Sequence, residues 1–340
     1  MSEMIYELFN LVHRYGEHVA LKVEHLSIRK GSIIGVSGPN GSGKSTLMKI
    51  LAFLQKPSEG TVLFDGQKVN FNNPALRREV TLLLQDPYLL KRSVFENVAY
   101  GLRLRWQTND LKAQVYTALN LVGLDPESFA HRSWRELSGG EAQRVTLASR
   151  LALKPRVLLL DEPLASVDAA SAELIKKASL AVRQEWGATL VIVSHDLIWL
   201  HEVADEVLSF FNGSLVGSGA RNLIMGPWQV KKDNFWMKTL EHGQQILAEN
   251  PFKDKSVAVL DPSKVVITPQ IPDQSQLGNV IQGTISQMIF EKTLGKVLVN
   301  VSAGGISLTS RMTEATIMEL RLHPGQSVWV SFNADAFQWL

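Results

Sequence analysis

Residues Gly38–Thr46 read GPNGSGKST, and this stretch constrains the chain more than any other part of it. An apolar run, Ile33–Val36, comes before it, and the spacing predicts a helix from Lys44 onward. Gly38, Gly41 and Gly43 let the backbone curl until its N–H groups face phosphate oxygens. The helix starting near Lys44 adds its positive end. Lys44 is placed to reach the β- and γ-phosphates of a nucleotide, and the Ser45 hydroxyl to hold Mg²⁺. Pro39, Asn40, Ser42 and Thr46 complete the loop as candidate contacts to the same ligand. A loop that merely turned a strand into a helix would need neither the lysine nor the serine.

A strand–loop–helix of this kind belongs in an α/β sheet, and the sequence around it agrees. Val157–Leu160 and Leu190–Val193 are apolar runs suited to parallel strands covered on both faces. Phe210–Phe211, Asn212–Gly213 and Leu215–Val216 predict a hairpin with a tight turn. Leu111, Val115, Ala118, Leu119 and Val122 fall at helical spacing, within a stretch of helical character that begins near Ser93. The chain has 340 residues, more than one hydrophobic core usually supports, so a second domain is expected. From about Ser256 the pattern becomes wholly β: VAVL, KVVIT, GTISQMI, GKVLVNV, GISLTS and SVWVSF, as in a small barrel. The expected organisation is an α/β domain over 1–225 with a helical subdomain at about 93–150. A helical or irregular stretch at roughly Arg221–Asn250, a linker over 226–255 and a β-barrel domain over 256–340 complete it.

Composition removes several classes of function. The formal net charge of +2 implies no large basic surface, so no nucleic-acid partner is expected. With no cysteine there are no disulfides, thiolate metal sites or cysteine nucleophiles. Glu3 and Glu7 stand where a signal peptide would need a basic and then an apolar segment. No run reaches roughly 18 apolar residues. The richest stretch is interrupted by His195, Asp196, His201 and Glu202. Any membrane role is expected to come through a partner.

Two further motifs carry chemistry. Val157–Glu162 reads VLLLDE, an apolar strand delivering two carboxylates to the carboxyl edge of a parallel sheet, where such folds bind ligands. Asp161 suits Mg²⁺, and Glu162 is the candidate general base for an attacking water. Leu137–Glu141 reads LSGGE, in which Ser138 and Glu141 form a capping box. Capping leaves Gly139 and Gly140 unexplained, since two glycines weaken a helix start. A phosphate approaching the backbone there would explain them.

GPNGSGKST, LSGGE and VLLLDEP in this order resemble the nucleotide-binding domain of ATP-binding-cassette (ABC) transporters, over roughly Ile5–Gly217. The resemblance implies a P-loop NTPase fold and an ATP hydrolase that uses ATP and Mg²⁺. It implies that Gln85, in LLLQDP, senses Mg²⁺ and the lytic water and borders the membrane subunit. It makes His195, in IVSHD, the switch histidine near the γ-phosphate. Asp168, in ASVD, becomes the aspartate of the family's D-loop, and Tyr15, in HRYG, the ring that stacks on adenine. In this family Ser138, Gly139, Gly140 and the residue at Glu141 close over phosphates held by a second subunit, so a homodimer with two sandwiched nucleotides is implied. The family commonly has glutamine where this chain has Glu141, and the capping box gives that carboxylate somewhere to turn. Implied partners are integral-membrane permease subunits and, indirectly, an extracytoplasmic solute-binding protein. The implied location is the cytoplasmic face of the membrane, held peripherally.

VAVLDPSKVVITPQ with NVIQGTISQMI resembles the entry to the TOBE or Mop-like barrel at the end of many importer ATPases. Leu277–Phe337 resembles its molybdate- and tungstate-binding version, which makes an oxyanion a candidate ligand and Ser310, Arg311 and Thr313 candidate contacts. The same residues also fit a plain turn between strands. The family's late Lys-Ala-Ser is Asn333-Ala334-Asp335 here, which removes a cation and adds an acid. The leading expectation is an importer motor for molybdate or tungstate. The alternatives are the same motor for a sugar, sulfate or metal ion with a structural tail, a soluble non-transport ABC ATPase, and an oxyanion sensor. A soluble ABC ATPase usually shows two cassettes or a long coiled coil, and neither is visible here.

Overall fold

The computed structural model describes residues 3–106, 109–165, 167–230, 235–249, 257–272, 278–292 and 294–339. Ser256, where the β-rich pattern begins, and Ser166 of the ASVD motif lie outside the described residues. The chain forms two compact units, one of residues 1–200 with 204–216, the other of 201–203 with 217–340.

The first unit is built on one sheet. Its strands are β1 (Met4–Tyr15), β2 (His18–Arg29), β3 (Ile33–Ser37), β4 (Glu59–Phe64), β5 (Gln67–Lys68), β6 (Val80–Leu83), β7 (Val157–Asp161), β8 (Thr189–Val193), β9 (Glu206–Phe211) and β10 (Ser214–Ser218). They lie in the order β5-β4-β1-β2-β10-β9-β3-β8-β7-β6. The segment β9-β3-β8-β7-β6 is parallel, and every residue of β3, β7 and β8 is buried. That is why these strands read as continuous apolar runs. In β2, part of the antiparallel half, buried Leu21, Val23, Leu26 and Ile28 are interleaved with exposed positions. At the hairpin joining β9 to β10, Asn212 and Gly213 both have left-handed φ, 45° and 78°, as its tight turn requires.

Helices α1 (Lys44–Leu51), α2 (Val94–Leu104), α3 (Leu111–Leu121), α4 (Pro126–Phe129), α5 (Gly139–Leu151) and α6 (Ala169–Trp186) accompany the sheet, and α7 (Leu197–Val203) follows β8. Four of them, α2 to α5, fill the stretch between β6 and β7, with Val115, Ala118, Leu119 and Val122 buried. Under the sheet Tyr6 is fully buried, and its hydroxyl donates to the Leu51 carbonyl at 2.7 Å. The same burial pushes its phenol well above the ordinary tyrosine range.

The second unit is a small β domain. A five-stranded antiparallel sheet runs in the order Val266–Thr268, Ser327–Phe332, Asn279–Glu291, Lys296–Ala303 and Ile306–Met312. Ile281, Val299, Val301, Leu308 and Val330 form part of its core. Two three-stranded sheets accompany it. The structure corrects two expectations here. The stretch expected to be a helical or irregular linker carries strands at Asn222–Ile224, Gln229–Val230, Phe235–Thr239 and Gln245–Glu249. The last of these buries Ile246 and Ala248 with period two, a strand signal too short to stand out in the sequence. The tail is also not wholly β, because α8 (Glu314–Leu320) interrupts it, with Thr313 capping its start by accepting from the Thr316 N–H at 3.1 Å.

Candidate active site

Strand register brings the site together. Val36 lies beside Val193, Val193 beside Asp161, and Leu83 beside Leu160. Four parallel strands therefore end at about one level, and the segments after them emerge on the same carboxyl edge. A cleft of about 550 Å³ opens there, lined by residues 40–46, Gln85, Asp161, Glu162, His195 and Tyr15. His18, Ala20 and Ala165 line it as well.

The loop's shape depends on Gly38, whose φ is 147°. A Cβ there would sit 2.2 Å from the Phe210 carbonyl oxygen and 2.7 Å from Ser42 Oγ, so no other residue fits. Lys44 folds across the loop and donates from Nζ to the carbonyls of Gly38 at 2.7 Å and Pro39 at 2.9 Å. Burial lowers its pKa, and the Glu162 and Asp161 carboxylates oppose that shift. Ser42 Oγ is buried with no protein partner, in a loop of N–H donors.

Asp161 is buried at the end of β7 and accepts a hydrogen bond from the Ser45 side chain. Desolvation raises its pKa despite Ser45, Lys44 and Lys49. The next residue, Glu162, turns out of the strand with φ 49° while its N–H donates to the Val193 carbonyl at 3.0 Å. Its Oε2 accepts from the His195 backbone N–H at 3.2 Å, and its Oε1 lies 3.2 Å from His195 Nε2. Desolvation raises the pKa of this carboxyl too, with His195 and Lys44 pulling the other way. A partly desolvated carboxylate fixed by neighbouring strands is well placed to accept a proton from a water in the cleft.

Not every expected site residue lines this cleft. Ser138, Gly139, Gly140, Glu141 and Asp168 are absent from its wall. Ser138 and Glu141 form the capping box: Oγ of Ser138 accepts from the Glu141 N–H at 3.2 Å, and Oε2 of Glu141 accepts from the Ser138 N–H at 2.8 Å. Glu141 also faces Arg132 at 3.7 Å, so its carboxylate is turned back onto its own chain. Asp168 caps α6, accepting from the N–H and hydroxyl of Ser171, both at 2.8 Å. The hydrogen bonds from Ser171 hold its carboxyl below the usual range.

Gly140 has a local reason to be glycine that the sequence did not show. A Cβ there would lie 2.4 Å from Ser171 Oγ and 2.7 Å from Asp168 Oδ2, where α5 meets α6. Helix propensity alone would make Gly140→Ala stabilising by about 1 kcal/mol. Overpacking costs about 1–3 kcal/mol and is expected to win here, because the neighbours are held by their own hydrogen bonds. Thermal unfolding of Gly140→Ala should show a melting temperature lower by a few degrees. A raised melting temperature would mean that the α5–α6 contact yields freely.

The family described as "ABC transporter" matches residues 21–165, and the family described as "TOBE domain" matches residues 275–337. The chain is 38% identical over 205 residues to the tungstate uptake system ATP-binding protein TupC of Peptoclostridium acidaminophilum, covering 60% of this chain and 93% of that one. It is an ABC transporter ATP-binding subunit. The molybdenum import ATP-binding protein ModC of Mycobacterium tuberculosis is 31% identical over 343 residues, covering 91% of both chains. Among solved structures, a dimeric ATP-binding cassette in a post-hydrolysis state bound to ADP and Pi is similar, with TM-score 0.58 and 29% identity. That match covers 63% of this chain and 97% of the cassette. The chain is thus an ABC importer ATPase with a C-terminal TOBE domain.

In the TOBE region the three candidate anion contacts are engaged elsewhere. Ser310 is buried and its Oγ donates to the Val265 carbonyl at 2.5 Å. Arg311 pairs with Glu291 at 2.7 and 3.2 Å and approaches Asp261 at 3.8 Å. Thr313 is the cap of α8. Behind Tyr15 the structure also places two residues that the sequence reading passed over. They are His13, two positions earlier on the same strand, and Gln55, which hydrogen-bonds the Tyr15 hydroxyl.

Proposed function

We propose that this ABC subunit drives an importer of a tetrahedral oxyanion, tungstate or molybdate, by closing as a homodimer around two ATP molecules. The observation that carries the closure is the split of its motifs. The loop, Gln85, Asp161, Glu162, His195 and Tyr15 line one cleft, while Ser138–Glu141 and Asp168 do not. The cleft alone is half a site, and the α5 start of a second copy supplies the other half. The dimeric state named for the related cassette supports this reading.

Within the half-site, residues 38–46 receive the phosphates, with Lys44 leaving the Gly38 and Pro39 carbonyls for phosphate oxygens. Tyr15 offers its ring to adenine. Glu162 accepts the proton of the attacking water, and His195, beside it, stabilises charge at the γ-phosphate. Ser45, Asp161 and Gln85 offer hydroxyl, carboxylate and amide oxygens, the hard donors that Mg²⁺ prefers. Mg²⁺ there would neutralise charge on the β- and γ-oxygens.

Among the described residues no helix is long and apolar enough to cross a membrane. The relatives named as ATP-binding proteins of uptake and import systems support placing this subunit peripherally, on the cytoplasmic side of a permease. The cargo reading rests on the names of two relatives. Deleting this chain should abolish high-affinity cellular uptake of tungstate or molybdate. If uptake of both oxyanions persists while another solute is lost, the motor serves that solute.

The TOBE domain is expected to be structural rather than a sensor, since Arg311 is neutralised by Glu291 and Asp261. Calorimetry of the whole protein should detect no oxyanion binding at millimolar concentration. Micromolar binding, lost in Arg311→Ala, would instead establish feedback on transport through a coupling between two sites.

A further inference from the structure

We propose that Gln55 and His13 are positioning residues for nucleotide binding, forming a hydrogen-bonded relay that fixes the Tyr15 ring before the base arrives. The inference deepens, and rests on, the reading of Tyr15 as the adenine platform. Tyr15 is 48% exposed, so a free ring would sample several rotamers at the mouth of the cleft. Its hydroxyl instead donates to Gln55 Oε1 at 2.9 Å. The Gln55 amide nitrogen lies 2.7 Å from His13 Nε2. Since Gln55 uses its oxygen on Tyr15, it donates from Nε2, and His13 Nε2 accepts. His13 therefore carries its proton on Nδ1, a buried atom without a hydrogen-bond partner. The imidazole also meets the Tyr15 ring edge to face, centroids 4.8 Å apart at 78°. The hydroxyl and the ring of Tyr15 are thus each held by a different neighbour, Gln55 and His13.

The elements explain why this trio exists. His13 and Tyr15 are alternate residues of β1, with a register shift between His13 and Arg14. Gln55 comes after α1, the helix that opens with Lys44 and Ser45, so the platform is tied to the same helix that bears the phosphate contacts. Immobilising a free aromatic side chain on binding costs free energy, and a ring already held avoids most of it. The relay acts on the base, remote from the γ-phosphate, so it should change KM and leave kcat alone.

The test is steady-state ATPase kinetics of the full-length protein and its variants. Gln55→Leu is expected to raise KM for ATP about three- to tenfold, the worth of one net hydrogen bond, with kcat unchanged. Tyr15→Phe keeps the π face but loses the hydroxyl and should give a similar KM. Gln55→Glu keeps an acceptor for Tyr15 and accepts from the other His13 tautomer, so it should restore KM to near the wild-type value. Tyr15→Ala should raise KM further than any of these. If Tyr15→Ala leaves KM unchanged, the adenine platform itself is misassigned. If Tyr15→Ala raises KM while Gln55→Leu and Tyr15→Phe do not, the platform stands and the relay is wrong. A fall in kcat at unchanged KM, or a Gln55→Glu variant no better than Gln55→Leu, would equally overturn the relay.

Discussion

Lys44→Ala is expected to cut ATP turnover by roughly a hundredfold or more, through loss of about two charge-assisted bonds to phosphate at about 1.5 kcal/mol each. The Lys44 ammonium is buried at the mouth of the loop and satisfied by two carbonyls, Gly38 and Pro39. Two carboxylates, Glu162 and Asp161, hold it charged against desolvation. Carbonyl acceptors can be exchanged for stronger anionic ones without creating a new buried charge, so phosphate binding displaces contacts that already exist. Removing Nζ leaves those carbonyls short of a donor and leaves Asp161 and Glu162 facing the incoming phosphates with no cation between. Lys44→Met separates loss of the ammonium from loss of side-chain packing, because it keeps an unbranched stem and loses both the donor and the charge. Both variants should fail in ATPase assays and in nucleotide-binding titrations, with thermal unfolding reporting the cost to the loop. Wild-type turnover in purified Lys44→Met would mean that residues 38–46 are not the phosphate loop.

The parts of this molecule legible in the sequence share one property: the residues sit next to each other in the chain. GPNGSGKST and VLLLDE each specify a strand end and the segment after it, so the phosphate loop and the acid pair could be read directly. His195 and Gln85 could be placed only by resemblance, because their nearness to Glu162 depends on the register of β6, β7 and β8. Gln55 carried no signal at all, since its link to Tyr15 spans 40 positions. Gly140 was read only for a ligand, and its close neighbours within this chain, Asp168 at the cap of α6 and Ser171 in its first turn, carried no signal. Helix-helix contact distances cannot be read from one sequence. In the TOBE region, Arg311 looked available to an anion because Glu291 and Asp261, its counter-charges, lie on other segments. The strands over 222–249 were missed because a run of two to five residues gives periodicity too little length to act on.

Glu162→Gln is expected to preserve ATP binding while lowering turnover by about 10²–10⁴, or about 2.7–5.4 kcal/mol of transition-state stabilisation. The substitution is conservative in shape. A glutamine oxygen can still accept from the His195 backbone N–H, which Glu162 Oε2 receives at 3.2 Å. The left-handed turn at position 162 and the bond from its N–H to Val193 involve only backbone, so they are kept. The carboxylate's basicity, which desolvation raises above that of an ordinary glutamate, disappears. An amide cannot take the proton of an attacking water, so the nucleotide stays intact. In the proposed dimer an intact γ-phosphate keeps the two halves of each site joined, the cleft of one copy and the α5 start of the other. Size-exclusion chromatography should therefore show monomer without nucleotide and a stable dimer with ATP, while the wild-type protein returns to monomer as ATP is consumed. A Glu162→Gln protein that hydrolyses ATP at the normal rate would remove Glu162 from the chemistry. One that binds ATP, fails to hydrolyse it and still stays monomeric would leave the base in place and sink the shared-site dimer, since nothing would then hold Ser138–Glu141 of one copy against the phosphates of another.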